Sequence, residues 1–66
     1  MPLIVYETGE GMTPEKKKEL VQKLTRASAE VTGIREDAFV IYIHENDNDN
    51  IGVGGKLLTE ILAERG

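Results

Sequence analysis

The chain reads as an α/β fold, α+β in the looser sense, built on a βαβ unit with parallel strands and assembled from several copies. Two short runs, Leu3-Ile4-Val5-Tyr6 and Phe39-Val40-Ile41-Tyr42-Ile43, are apolar at every position and rich in β-branched residues, the pattern of strands buried on both faces. Between them lies a long stretch with helical periodicity and a helix signal at each end. Strand, helix and strand in that order make a right-handed crossover between parallel strands.

Each element has its own local cause. The first strand ends at the breakers Thr8-Gly9-Glu10-Gly11. Thr13-Pro14-Glu15 then supplies a hydroxyl N-cap, a proline in the first helical position and an acid in the first turn. Leu20, Val21, Leu24, Ala27, Ser28 and Val31 recur at intervals of three and four, so one apolar stripe is expected along a helix from Pro14 to Thr32. Gly33 supplies the left-handed stop. After the second strand, Glu45 to Asn50 reads as a polar turn and Gly52-Val53-Gly54-Gly55 as too flexible for regular structure. Leu57, Leu58, Ile61 and Leu62 suggest a short closing helix.

The chain has 66 residues, and one helix covers only one face of a two-stranded sheet. A chain of about 60 residues buries only about 60 % of its unfolded surface, so small domains add disulfides, a metal or partner subunits. Cysteine is absent and His44 is the lone histidine, so neither a disulfide framework nor a Cys/His zinc site is available. Self-association remains: two βαβ units pairing into a four-stranded sheet whose bare face packs on further copies. With 8 Lys+Arg against 12 Asp+Glu the net charge is −4, the wrong sign for binding a phosphate backbone, so nucleic acid is not expected as a partner. No apolar run approaches the length of a membrane span, so no membrane partner is expected and the cytoplasm is the default address.

The stretches Met1-Pro2-Leu3-Ile4-Val5, Glu10-Gly11-Met12-Thr13 and Ile51-Gly52-Val53-Gly54-Gly55 stand in an order and spacing that resemble the 4-oxalocrotonate tautomerase family. The resemblance covers nearly the whole chain. It implies a tautomerase-like fold over residues 1–66 with a C-terminal hairpin and short helix, and a homohexamer built as a trimer of dimers. It also implies keto-enol tautomerisation by Pro2 once Met1 is removed. The chemistry of the residue agrees with that role, because an N-terminal proline presents a secondary amine where an internal one has an amide. An α-amino group titrates near about 8, and apolar surroundings disfavour its ammonium form, which moves the base toward neutrality. Proton transfer by such a group needs no metal and no cofactor. The plain alternative is that Pro2 merely begins a strand, where its missing N–H costs nothing.

The sequence departs from the family pattern at three places. In well-known members, arginines that grip the substrate's carboxylates stand at the positions of Met12 and Val40, and an aromatic residue stands at Ile51. Arginine binds carboxylate with a planar fork, which methionine and valine lack. Met12, Val40 and Ile51 therefore line the expected pocket without charge, pointing to a less charged enol or keto acid or to cations from elsewhere. Tyr42 and His44 share a strand face with Val40 and are the candidate polar replacements. Their plain readings are an interface tyrosine with its hydroxyl at the rim, and a strand-end histidine met by solvent. Arg35, Lys56 and the Lys16-Lys17-Lys18 run are further cations, though a lysine run in a first helical turn is usually a solvated face.

Other motifs lead nowhere. Glu45 to Asn50 fails as a calcium loop, since the fifth position from Asp47 is Ile51 and the twelfth is Leu58. Gly52, Gly54 and Gly55 do not make a dinucleotide fingerprint, and Ser28 with His44 makes no triad. Two alternatives to a tautomerase stay open. One is hydration or dehalogenation of an unsaturated acid with Glu7 or Glu45 as the added acid; the other is an oligomeric module without turnover.

Overall fold

The computed structural model describes residues 1–65. Strand β1 (Leu3–Gly9) leads through a glycine loop into helix α1 (Pro14–Thr32), and a 3₁₀ turn at Glu36–Ala38 precedes strand β2 (Val40–Asn46). A second 3₁₀ turn (Asn48–Asn50), a short hairpin of β3 (Gly52–Val53) and β4 (Lys56–Leu57), and helix α2 (Leu58–Arg65) complete the order.

The limits of α1 follow from its ends. Thr13 is extended, its Oγ1 accepts from the Lys16 N–H at 3.2 Å, and Pro14 opens the helix. At the other end Gly33 adopts φ 75°, and its N–H donates to the Ala29 carbonyl at 2.8 Å. The buried stripe is rotated from the expected one. Lys17, Leu20, Leu24, Ser28 and Ala29 are half-buried, whereas Val31, on the same face as Leu20 and Leu24, is 87 % exposed near the C-terminal end of the helix.

The strands pair in parallel from Leu3 opposite Val40 to Gly9 opposite Asn46. Both run further than their apolar stretches suggest, since ladder hydrogen bonding carries Glu7, Thr8 and Gly9 alongside His44, Glu45 and Asn46. Phe39 stays outside β2 as the cap of the 3₁₀ turn. The Gly52–Gly55 segment is ordered, contrary to its reading as flexible. Gly54 and Gly55 have φ 60° and 88°, which a two-residue hairpin turn of the primed type requires at both central positions. The glycines close the hairpin, pairing Gly52 with Leu57 and Val53 with Lys56.

Strand alternation divides the sheet. Ile4, Tyr6, Thr8, Ile41 and Ile43 face α1 and are half-buried, and the Lys17–Glu45 ion pair ties helix to sheet on that side. Leu3, Val5 and Tyr42 stand on the opposite face with none of the described elements over them. Among the described residues none is buried. The radius of gyration is 15.5 Å, against about 11 Å for a compact domain of this length. Helix α2 lies against the Asn48–Asn50 turn and β4, and its Leu62 with Val53 and Leu57 of the hairpin also face solvent. No helix among the described residues is long and apolar enough to cross a membrane.

Candidate active site

Pro2 sits half-buried at the head of β1, where its carbonyl accepts from the Val40 N–H at 3.1 Å. It lacks an N–H and so forfeits no ladder bond. Val40 is thereby fixed beside it, opposite Leu3. Met12 and Ile51 lie at the other end of the strand: Met12 is in the loop leaving β1, and the Ile51 Cδ1 is 3.8 Å from where a side chain on Gly9 would begin. Pro2 and Gly9 are seven residues apart along a strand, about 23 Å at 3.3 Å per residue. Pro2 and Val40 thus lie at one end of β1, and Met12 and Ile51 towards the other. Within one protomer the two sets do not meet.

Tyr42 and His44 occupy the bare face, as strand alternation requires, with ring centroids 6.2 Å apart and planes inclined by 28°. His44 is not a strand-end residue left to solvent. Its Nδ1 lies 2.6 Å from Glu7 Oε2, directly across the ladder. Asn46 completes the group, its amide donating to Glu7 Oε1 and to the Thr8 carbonyl, both at 3.0 Å. The Asn46 amide first, and His44 second, hold the Glu7 carboxyl below its usual pKa. Glu45 is held low as well, chiefly by the hydrogen bond from Lys17. Both carboxylates considered as an added acid are therefore engaged. Arg35 forms an ion pair with Asp37 at 2.7 Å in the turn before β2.

A groove of about 320 Å³ runs beside β1, lined by Tyr6, Met12, Lys16, Glu19, Leu20 and Lys23. Glu19 pairs with Lys23 at 2.7 Å, one helical turn apart, and this contact lowers its pKa. The Lys16 ammonium has no ion-pair partner within the described residues. Sequence reasoning placed Lys16 on a solvated face. The available signal was its spacing from Leu20 and Lys23, four and seven residues on, which puts all three along one flank.

A family model described as a tautomerase enzyme matches residues 2–61, beginning at Pro2. The chain belongs to the tautomerase family. A 2-hydroxymuconate tautomerase of Bacillus subtilis (strain 168) is 39 % identical over 61 residues, covering 92 % of this chain and 98 % of the relative. Among solved structures, TomN, a 4-oxalocrotonate tautomerase homologue of the tomaymycin biosynthetic pathway, superposes with a TM-score of 0.94 at 29 % identity, over 98 % of this chain and 100 % of that one. A heterohexameric 4-oxalocrotonate tautomerase from Chloroflexus aurantiacus superposes at 0.86 with 28 % identity, over 92 % and 98 % of the two chains. The family's fold is the α+β arrangement described above, and this member is an isomerase of the 4-oxalocrotonate tautomerase type.

Proposed function

We propose that the protein catalyses keto-enol proton transfer on a 2-hydroxy-dienoate or 2-keto acid, with Pro2 as general acid/base after removal of Met1. The observation that carries this reading is the place of Pro2: half-buried at the strand head, beside Val40, with its carbonyl held in the ladder. That anchorage fixes the direction of the nitrogen. Freed of Met1, the nitrogen is a secondary amine whose lone pair takes the enol hydroxyl proton and returns it to carbon as the carbonyl forms. Apolar neighbours disfavour the ammonium and keep the base poised near neutrality. No cofactor enters this scheme.

The working unit on this reading is a homo-oligomer, a hexamer built as a trimer of dimers, in the cytoplasm. Two copies joined at the free edge of β1 by a two-fold axis normal to the sheet run antiparallel. That pairing brings Pro2 of one copy to the Met12 end of the other and joins the two sets of residues that one protomer keeps apart. It also leaves both helices on one face and a four-stranded bare face for further copies.

Pro2→Ala tests the reading. Ketonisation of 2-hydroxymuconate and of enol-phenylpyruvate should fall at least about 10²-fold in the variant, the scale of general acid-base catalysis, with the assembly unchanged by sedimentation. Wild-type rates in Pro2→Ala would remove the catalytic role.

A further inference from the structure

We infer that the interface between copies on the bare face of the sheet is joined through a proton: when further copies cover that face, His44 carries the imidazolium that neutralises Glu7, so the assembly weakens as the pH rises through neutrality. The inference rests on the oligomeric reading proposed above and on where the chain places its charges.

Of the side chains that β1 and β2 present to the bare face, Glu7 is the one carboxylate and His44 the one group able to carry a positive charge; Tyr42 is the only other titratable group. The two are already joined, His44 Nδ1 lying 2.6 Å from Glu7 Oε2, a length suited to a charge-assisted bond. Asn46 donates to the other carboxylate oxygen at 3.0 Å, and the Tyr42 ring stacks beside the imidazole. In the single protomer the side chains of His44 and Glu7 are 52 % and 60 % exposed, so water screens the pair and its protonation matters little.

Assembly removes that screening. Joining copies at the free edge of β1 puts both β1 strands in the middle of the four-stranded sheet. Glu7 follows Tyr6, the middle residue of β1, so the two carboxylates lie near the two-fold axis, where like charge adds. A carboxylate covered there is costly without a counter-charge. None of the eight Lys and Arg stands on β1 or β2, and Lys17 is held by Glu45 on the α1 side of the sheet. Copies packed bare face to bare face add only further Glu7, His44 and Tyr42. The counter-charge is therefore His44, adjacent in the ladder. An ordinary imidazole gives up its proton near about pH 6.5. Stabilisation that belongs to the protonated form is full in mild acid and is lost as the pH rises.

The test is sedimentation of Met1-free wild type, Glu7→Gln, His44→Gln and the double variant in dilution series, in the urea concentration that half-dissociates wild type at the acid end. The wild-type dissociation constant should rise about tenfold or more between about pH 6 and about pH 8.5. Glu7→Gln keeps the N-terminal amine and the histidine but removes the need for a counter-charge, and should show no such rise. At about pH 6, His44→Gln should assemble about tenfold or more weakly than wild type, and the double variant should recover to within about threefold of it. Equal wild-type affinity at the two pH values, or an equal rise in Glu7→Gln, would overturn the inference. Failure of the oligomeric reading shows differently, as wild type that is a single protomer at both pH values without urea, and would take this inference with it.

Discussion

The two faces of the β1–β2 sheet are built from similar residues and meet different surroundings. On the α1 side Ile4, Tyr6, Ile41 and Ile43 are half-buried. On the other side Leu3, Val5 and Tyr42 are 57 %, 50 % and 53 % exposed, although they are as apolar. Apolar residues packed this closely at a surface mark an interaction site. The bare face is also graded: apolar at the Pro2 end, and polar at the far end, where Glu7, His44 and Asn46 hydrogen-bond to one another. An apolar patch supplies affinity for another copy. A prearranged polar end favours one register over its slips, because a shifted partner would leave those groups buried without partners.

The largest effect should come from putting a charge on the bare face. Val5→Asp would bury an unpaired carboxylate if copies pack there, and sedimentation at micromolar concentration should show the assembly lost together with cooperative unfolding. Gln22→Asp, on the exposed side of α1, should leave both intact. Assembly of Val5→Asp at wild-type strength would mean that the bare face stays bare.

Truncation sharpens the comparison. Ile4→Ala should cost about 1–2 kcal/mol, since the side chain is half-buried under α1. Val5→Ala should cost a similar amount if a second copy covers it, and less than about 0.5 kcal/mol if solvent does. Chemical denaturation of both variants at one protein concentration distinguishes these cases, and the account predicts the similar cost.

The smallest effect concerns the polar end. The Glu7 carboxyl is depressed below its ordinary 4.5 in the folded chain. A depressed carboxylate adds stability that is fully present above its unfolded value and is lost as the pH falls through the folded one. The margin of wild type over Glu7→Gln in thermal melts should therefore shrink as the pH drops below that ordinary value. A margin that does not shrink there would contradict the network as drawn.

Local signals served the sequence reading well, and non-local ones did not. Thr13, Pro14 and Gly33 each act within a turn of their own position, so the helix limits follow from sequence. The strand ends do not, because Glu7 to Gly9 and His44 to Asn46 are held by each other across some 37 residues, and neither segment looks like a strand alone. Gly54 and Gly55 misled for another reason. The freedom that suggests disorder is also what a primed turn needs. The proline was visible through the family resemblance, and Met12 as a departure from it. The groove beside β1 was hidden, since only the approach of α1 to Tyr6 makes it.

One comparison tests the central claim without changing a residue. Protein that retains Met1 carries an amide at the Pro2 nitrogen, and protein that has lost it carries a secondary amine. Ketonisation of 2-hydroxymuconate and enol-phenylpyruvate should be measured for both forms, each verified by intact mass. The account predicts turnover by the Met1-free form and a loss of at least about 10²-fold in the Met1-bearing form. Equal turnover by the two forms would contradict it.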